Sequence, residues 1–417
     1  VDFYRKINGE LRMMETDNSV AKKEMSDTGE RTGKRFKIFW ESMFSLSNTP
    51  LGLVAGVIFA MFYTNLVRFR SWSIAIYPTV LTTKGVINGI LAGRLSTGLH
   101  VGLINTSLTK NTKYFHTILN SQLTLSLLIG LLTSFIAFMM TSAPLEELNL
   151  IIFTSLAIQA ISLGLINPAT AIIAFIAYKR GLDPDIILYP FSSSIADILS
   201  TISYVISLII VFWFNTAGII IIYIIGLIAI FFSCLITYKF RNEGEYWKTL
   251  RESLLAVVTT TLIAMISGYS LLQIEKQLEE AHEVLVIYPA LIDSLGDIAA
   301  SFGSITTTRL HLGLIEAKIS GIGKQFSELA QIWCSGLIYY AIYGLAAYLI
   351  DRSVKSFFIA VISFSIVSPI IILLAHSTAI LTFKKGLDPD NFVIPIETSV
   401  TDAMLTICIA TLIILLH

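Results

Sequence analysis

The sequence predicts an all-α polytopic membrane protein of about eleven transmembrane helices, arranged as two parallel five-helix repeats joined by one linker helix. Three observations carry this expectation: an oily, weakly charged composition, a series of membrane-length apolar runs, and an internal duplication at a nearly constant offset.

Composition argues against a soluble domain. Of the 417 residues, 54% are hydrophobic and only 14% charged, with a mean hydropathy of +0.75, whereas soluble domains carry about 25% charged residues. The 29 basic and 29 acidic residues cancel. No net field therefore points to nucleic acid, and the expected partner is the lipid bilayer. Cys234, Cys334 and Cys408 are scattered through apolar runs without metal-ligand spacing and read as small core residues. No short apolar segment with a cleavage site stands near Val1, so no signal peptide is expected. Residues 1–37, polar and mixed in charge, read as a cytoplasmic tail.

A hydrocarbon core about 30 Å thick takes roughly 20 apolar residues per helix. Runs of this kind fall near 51–67, 77–105, 117–141, 150–177, 186–213, 217–238, 250–272, 286–315, 327–350, 356–381 and 391–416. They are too long and too little alternating for barrel strands. The second and eighth have polar middles and are expected to be tilted or broken. Basic residues then orient the spans. Lys34, Arg35 and Lys37, then Lys110 and Lys113, Lys179 and Arg180, Lys239 to Arg251, Lys318 and Lys324, and Lys384 and Lys385 all fall on one side. Acidic loops at Glu146, Glu147 and Glu275 to Glu283 fall on the other, and Arg68, Arg70, Arg352 and Lys355 dissent. The expected placement is a multi-pass cell-membrane protein with its amino terminus cytoplasmic and its carboxyl terminus outside.

The duplication appears in two places. "YPTVLTTKGVINGILAGRLSTGLHVGLI" from Tyr77 aligns without a gap with "YPALIDSLGDIAASFGSITTTRLHLGLI" from Tyr288, an offset of 211. "KRGLDPDIILYPFSSSIAD" from Lys179 aligns with "KKGLDPDNFVIPIETSVTD" from Lys384, an offset of 205. Two elements in the same order at nearly the same offset mark an internal repeat. Five spans per copy would invert the second copy, yet both DPD loops carry basic residues and belong on the same side. The extra span near 217–238 restores the orientation and makes the repeats parallel. The expected units are the tail 1–37, a first repeat 38–213, a linker helix 214–244 and a second repeat 245–417.

Candidate site residues follow from charge inside the membrane. Asp197 and Asp402 each lie twelve residues beyond the second aspartate of a DPD loop, about 18 Å along a helix and near the midplane. A carboxylate there costs about 2.5–3.5 kcal/mol and usually faces water or a partner. Two such groups facing each other need a cation or proton between them, and carboxylate oxygens with water suit hard divalent ions. A pair of protonated aspartates joining two helices would serve structure alone. Pro190 and Pro395, seven residues earlier, could free carbonyls toward an ion path or simply kink the helix. The second and eighth spans add Lys84, Asn88 and Arg94, and Asp293, Asp297 and Arg309. Asp293 and Asp297, four apart, share a helix face and could contact an ion or pair with Lys84 or Arg94. Arg94 and Arg309 occupy slots one turn apart in the alignment and are expected to line or support the path, as is Asn88. His100 and His311 read as interfacial hydrogen-bonders. Asp183, Asp185, Asp388 and Asp390 cluster at the cytoplasmic mouth, where Gly, Asp and Pro also spell a turn and a helix cap.

The residues "YPTVLTTKGVINGILAGRLSTGLHVG", "GSITTTRLHLG" and the paired "GLDPD…P…D" resemble the MgtE-type magnesium and divalent cation transporter family, most closely its duplicated branch with the eukaryotic MgtE-like magnesium solute carriers. The resemblance covers roughly 50–417. It implies a channel or transporter, not an enzyme, with Mg2+ as the transported or bound ion, no organic cofactor, and a pore between two five-helix units. The family's fifth-helix aspartates correspond to Asp197 and Asp402, and one chain would act as a monomeric pseudo-dimer. Family members commonly place Asn after the second-helix Gly, whereas Val86 follows Gly85 and Asp297 follows Gly296 here. The cytosolic amino-terminal and CBS domains of bacterial members have no counterpart in the sequence. A transporter of an organic solute coupled to protons or sodium is the alternative. An intramembrane aspartyl protease also needs two midplane aspartates, but "SIADIL" and "SVTDAM" lack its Tyr-Asp and Gly-x-Gly-Asp patterns.

Overall fold

The structure, a computed structural model, describes residues 37–67, 70–180, 184–274, 277–278, 281–311, 315–385 and 390–416. Among these the chain is helical, with no strand. A short helix α1 (Lys37–Ser45) leads through a 3-10 turn, Leu46–Leu51, into α2 (Gly52–Val67). Next come α3 (Ser71–His100), α4 (Lys113–Thr141), α5 (Leu148–Lys179) and α6 (Pro184–Trp213). After α7 (Asn215–Lys239) the chain continues as α8 (Gly244–Gln273), α9 (His282–His311), α10 (Phe326–Asp351), α11 (Val354–Lys384) and α12 (Asp390–Leu416).

Nine of the described helical stretches are long and apolar enough to cross a membrane, so the chain is a multi-pass membrane protein. Helices α8 and α9 occupy the seventh and eighth expected spans without being among the nine: the described apolar stretch of α8, Val257–Gln273, is shorter than the others, and α9 carries Glu283, Asp293 and Asp297. Of the expectation that the second and eighth spans are tilted or broken, the break is corrected: α3 and α9 each run unbroken through an internal proline, Pro78 and Pro289. Both also start earlier than expected, and α3 stops earlier. Gly102 (φ 78°) takes the left-handed turn that ends α3, and Leu103 N–H caps the Gly98 carbonyl at 2.8 Å.

The break falls instead at the front. Pro50 sits inside the 3-10 turn, where it removes an N–H donor. The Thr49 hydroxyl is anchored 2.6 Å from the Tyr343 hydroxyl of α10. Helices α1 and α2 together thereby occupy the length that α8 spans in one piece.

Packing exchanges helices along the sequence. Helix α2 packs on α9, and α8 packs on α3. Each crossing is closed by a glycine: a Cβ on Gly56 would stand 1.8 Å from the Val286 carbonyl oxygen, and one on Gly268 would stand 2.3 Å from that of Ala75. Val286 and Ala75 are themselves 211 residues apart, the offset of the aligned second helices. Backbones in membranes approach this closely only where a small residue allows it. Helix α7 lies outside, against α4, α5 and α6, and exposes Ile220, Ile224, Leu227, Phe231 and Leu235, the surface of a helix that faces lipid.

Candidate functional site

Helices α3, α6, α9 and α12 meet around a small cavity of about 40 Å³ lined by Asp197, Asp293, Asp297 and Asp402. The rest of the lining is Leu81, Thr82, Gly85, Ser193, Pro289, Ile292, Gly296 and Thr398. At the two alignment offsets these fall into pairs: Leu81 with Ile292, Thr82 with Asp293, Gly85 with Gly296, Ser193 with Thr398, and Asp197 with Asp402. Only Pro289 and Asp297 lack a lining counterpart. Repeated small residues, Gly85 and Gly296, keep the wall open where the two α3-type helices face each other.

The carboxylates are held from across the interface. Thr82 Oγ1 on α3 donates to Asp402 Oδ2 on α12 at 2.5 Å. Ser193 and Ser194 on α6 donate to the two oxygens of Asp293 on α9, each at 3.1 Å. Thr82 and Asp293 occupy equivalent positions, so α3 ties to α12 and α9 ties to α6. Within each half, the tyrosine that opens the YP motif meets a threonine one turn past Asp197 or Asp402. The Tyr77 and Thr201 hydroxyls are 3.1 Å apart, and those of Tyr288 and Thr406 are 2.8 Å apart. These bonds fix the rotation of α6 and α12 and hence the direction of their aspartates.

Burial makes the cluster electrostatically tense. Asp197, Asp297 and Asp402 are only 8%, 7% and 5% exposed, and Asp293 is half-buried. The Asp297 Oδ2 has no hydrogen-bond partner among the described residues. Among the described residues no lysine or arginine lines the cavity. Four acidic groups around one small space repel unless protons or a cation intervene. Among the described residues, no three His, Cys, Asp or Glu side chains converge tightly enough to chelate one bare ion.

The other anticipated residues go elsewhere. Asn88 is buried and donates to Ser192 at 2.9 Å while accepting from Thr170 at 2.7 Å, which joins α3, α5 and α6 beside the cavity. Lys84 does not pair with the aspartates; it turns the other way, donating to Ser126 Oγ at 2.7 Å and to the Gln159 carbonyl at 3.3 Å. Arg94 donates to Thr249 of α8 at 2.6 Å, and Arg309 forms an ion pair with Glu328 of α10. Neither arginine lines the cavity; each fastens neighbouring helices. Asp183 and Asp388 lie outside the described residues, as do the side chains of Asp185, Asp390, Pro190, Pro395, His100 and His311.

Sequence reasoning missed Thr82, Ser193 and Ser194. The signal for Thr82 was present, since it aligns with Asp293. A hydroxyl opposite a carboxylate carries no charge to draw attention.

Comparison with known proteins gives one family. The MgtE model, described as "Divalent cation transporter", matches residues 77–207 and again 288–412, together more than half of the chain. The two matches start 211 residues apart and end 205 apart, the two offsets of the internal repeat. No curated protein and no solved structure gives a match.

Proposed function

Because the chain belongs to the MgtE divalent cation transporter family and carries the family region twice, we propose that hydrated divalent cations, chiefly Mg2+, pass between its two halves at Asp197, Asp402, Asp293 and Asp297. The observation that carries this is the convergence of four carboxylates from both halves on one cavity without a basic residue. Asp197 and Asp402 form the symmetric contact. Asp293 and Asp297 come from the second half alone, so the path is more acidic on that side. Magnesium loses water reluctantly, and hydroxyls such as Thr82, Ser193 and Thr398 can hydrogen-bond its remaining waters. The cavity, about 40 Å³, is far below the roughly 300 Å³ at which organic-ligand pockets begin.

The wider arrangement belongs to the same proposal. Helices α2 to α6 and α8 to α12 act as two parallel five-helix units, eleven crossings in all with α7 as the odd one. The paired Tyr–Thr contacts and paired glycine crossings support it. One chain then supplies both sides of the path, acting as a monomeric pseudo-dimer. The basic residues at the ends of α5 and α11 support a cytoplasmic side for the DPD turns, where Asp183, Asp185, Asp388 and Asp390 stand at the mouth, and an amino terminus on that side.

Purified protein in liposomes tests the reading, with Mg2+ entry followed by an internal dye. Asp197→Asn and Asp402→Asn are expected to cut the flux by at least about tenfold, the loss of roughly 1.4 kcal/mol of ion contact. Unaltered flux in both variants would overturn the assignment of the path.

A further inference from the structure

Away from the cation path, α4, α5 and α7 enclose a groove of about 510 Å³, within the range of sites that hold small amphiphilic molecules. Its walls are apolar, with Leu123, Ile225 and Phe232 among them, but two amides, Asn120 and Asn167, also line it. Asn120 lies seven residues from Lys113 at the start of α4, and Asn167 twelve from Lys179 at the end of α5. At about 1.5 Å per residue these are ~10 Å and ~18 Å from the basic ends of their helices. The groove thus runs from just beneath the headgroups toward the middle of the bilayer.

Two polar groups of α5 border the groove there. Asn167 is 8% exposed, and its Oδ1 has no hydrogen-bond partner among the described residues. Pro168 next to it has no N–H to give the Gly164 carbonyl. Gly164 is exposed on the groove, and nothing stands within 4 Å of where its Cβ would be, so its backbone is uncovered. A hydrocarbon chain alone cannot satisfy these groups, and unsatisfied polar groups at this depth are costly. A hydroxyl carries one hydrogen, so it can donate to the Gly164 carbonyl while its oxygen accepts from the Asn167 amide N–H.

We propose that this groove is a binding site for a lipid alcohol, its hydrocarbon body against α7 and its hydroxyl between Asn167 and the Gly164 carbonyl. The linker helix then does more than supply an odd crossing: it forms one wall of a regulatory or structural lipid site. The site is particular to the first half. Among the described helices none packs on α10 and α11 as α7 does on α4 and α5, and at the 205 offset Gly164 and Asn167 become Pro369 and Ile372.

The test uses the full chain in phosphatidylcholine nanodiscs, photolabelled with hexadecanol bearing a diazirine on its chain, with cross-linked peptides read by mass spectrometry. Label is expected on α4, α5 and α7. Unlabelled hexadecanol should displace it, and hexadecyl methyl ether, which cannot donate, should compete about fivefold less well, the worth of one hydrogen bond. Gly164→Phe, which fills the groove, should abolish the labelling, and Asn167→Leu should weaken it by a similar fivefold. Label scattered over the lipid-facing surface, or equal competition by alcohol and ether, would overturn the proposal. That competition uses the unaltered protein, so it decides even where a variant does not fold. Cation flux is not a readout here, so the two proposals stand or fall separately.

Discussion

Thr82 Oγ1 donates a 2.5 Å hydrogen bond to Asp402 Oδ2, joining residues 320 positions apart in the sequence. The position equivalent to Thr82 is Asp293, which accepts from Ser193 and Ser194 on the opposite fifth helix. Equivalent positions on α3 and α9 thus each bond a helix of the other half, with donor and acceptor exchanged and the partners about one turn apart. In one half the α3-type helix gives the proton, and in the other it supplies the charge.

Thr82→Val keeps the shape of the side chain and removes the donor. A hydrogen bond to a charged group contributes about 1.5–3 kcal/mol, so the Mg2+ affinity of the path is expected to fall by about tenfold or more. Thr82→Ser should retain it. Calorimetric titration of both variants in detergent measures the difference, and equal affinities would show that the Asp402 orientation does not depend on Thr82.

Asp297 offers an opposed pair of effects. Its Oδ2 is buried and unpartnered among the described residues, and its counterpart in the first half is Val86. Asp297→Val should raise the melting temperature measured without divalent ions, since it removes an acidic group whose desolvation is not repaid. The same change should weaken divalent binding. A variant that melts lower without ions would mean that Asp297 contributes to the fold itself.

Gly56 and Gly268 are expected to tolerate no side chain. A Cβ at either meets a carbonyl oxygen of the crossing helix, and overpacking of this kind costs about 1–3 kcal/mol or more. Gly56→Leu and Gly268→Leu should lower the melting temperature or abolish monodisperse protein on size-exclusion chromatography. Gly93→Ala, with open space around its Cβ, should be neutral or gain about 0.5–1 kcal/mol as a helix-interior Gly replacement.

Tyr77→Phe and Tyr288→Phe each remove one hydroxyl contact to the aspartate-bearing helices. Each is expected to cost about 1 kcal/mol of stability and to reduce Mg2+ flux less than either aspartate replacement, because the carboxylate stays in place. Melting curves and liposome flux on the same preparations separate the two effects. A flux loss as deep as that of Asp197→Asn would make these tyrosines part of the path.

The sequence by itself determined the membrane class, the helical runs and the internal repeat, because hydrophobicity, span length and offset are properties of a linear string. It also singled out Asp197, Asp402, Asp293 and Asp297, since a charge inside an apolar run is conspicuous whatever the fold. Only the tertiary structure decided which groups meet. In the sequence Arg94 reads as a partner for Asp293 or Asp297 and Arg309 as a residue that lines or supports the path, yet packing sends them to Thr249 and Glu328. Lys84 sits beside Gly85 in sequence but on the opposite face of α3, turned toward Ser126. The crossing of α2 onto α9 and of α8 onto α3, with the cross-interface hydroxyls it positions, depends on contacts hundreds of residues apart. Periodicity gives a helix its apolar faces, but which neighbour each face meets is settled by packing, and here that packing gathers four carboxylates around one space.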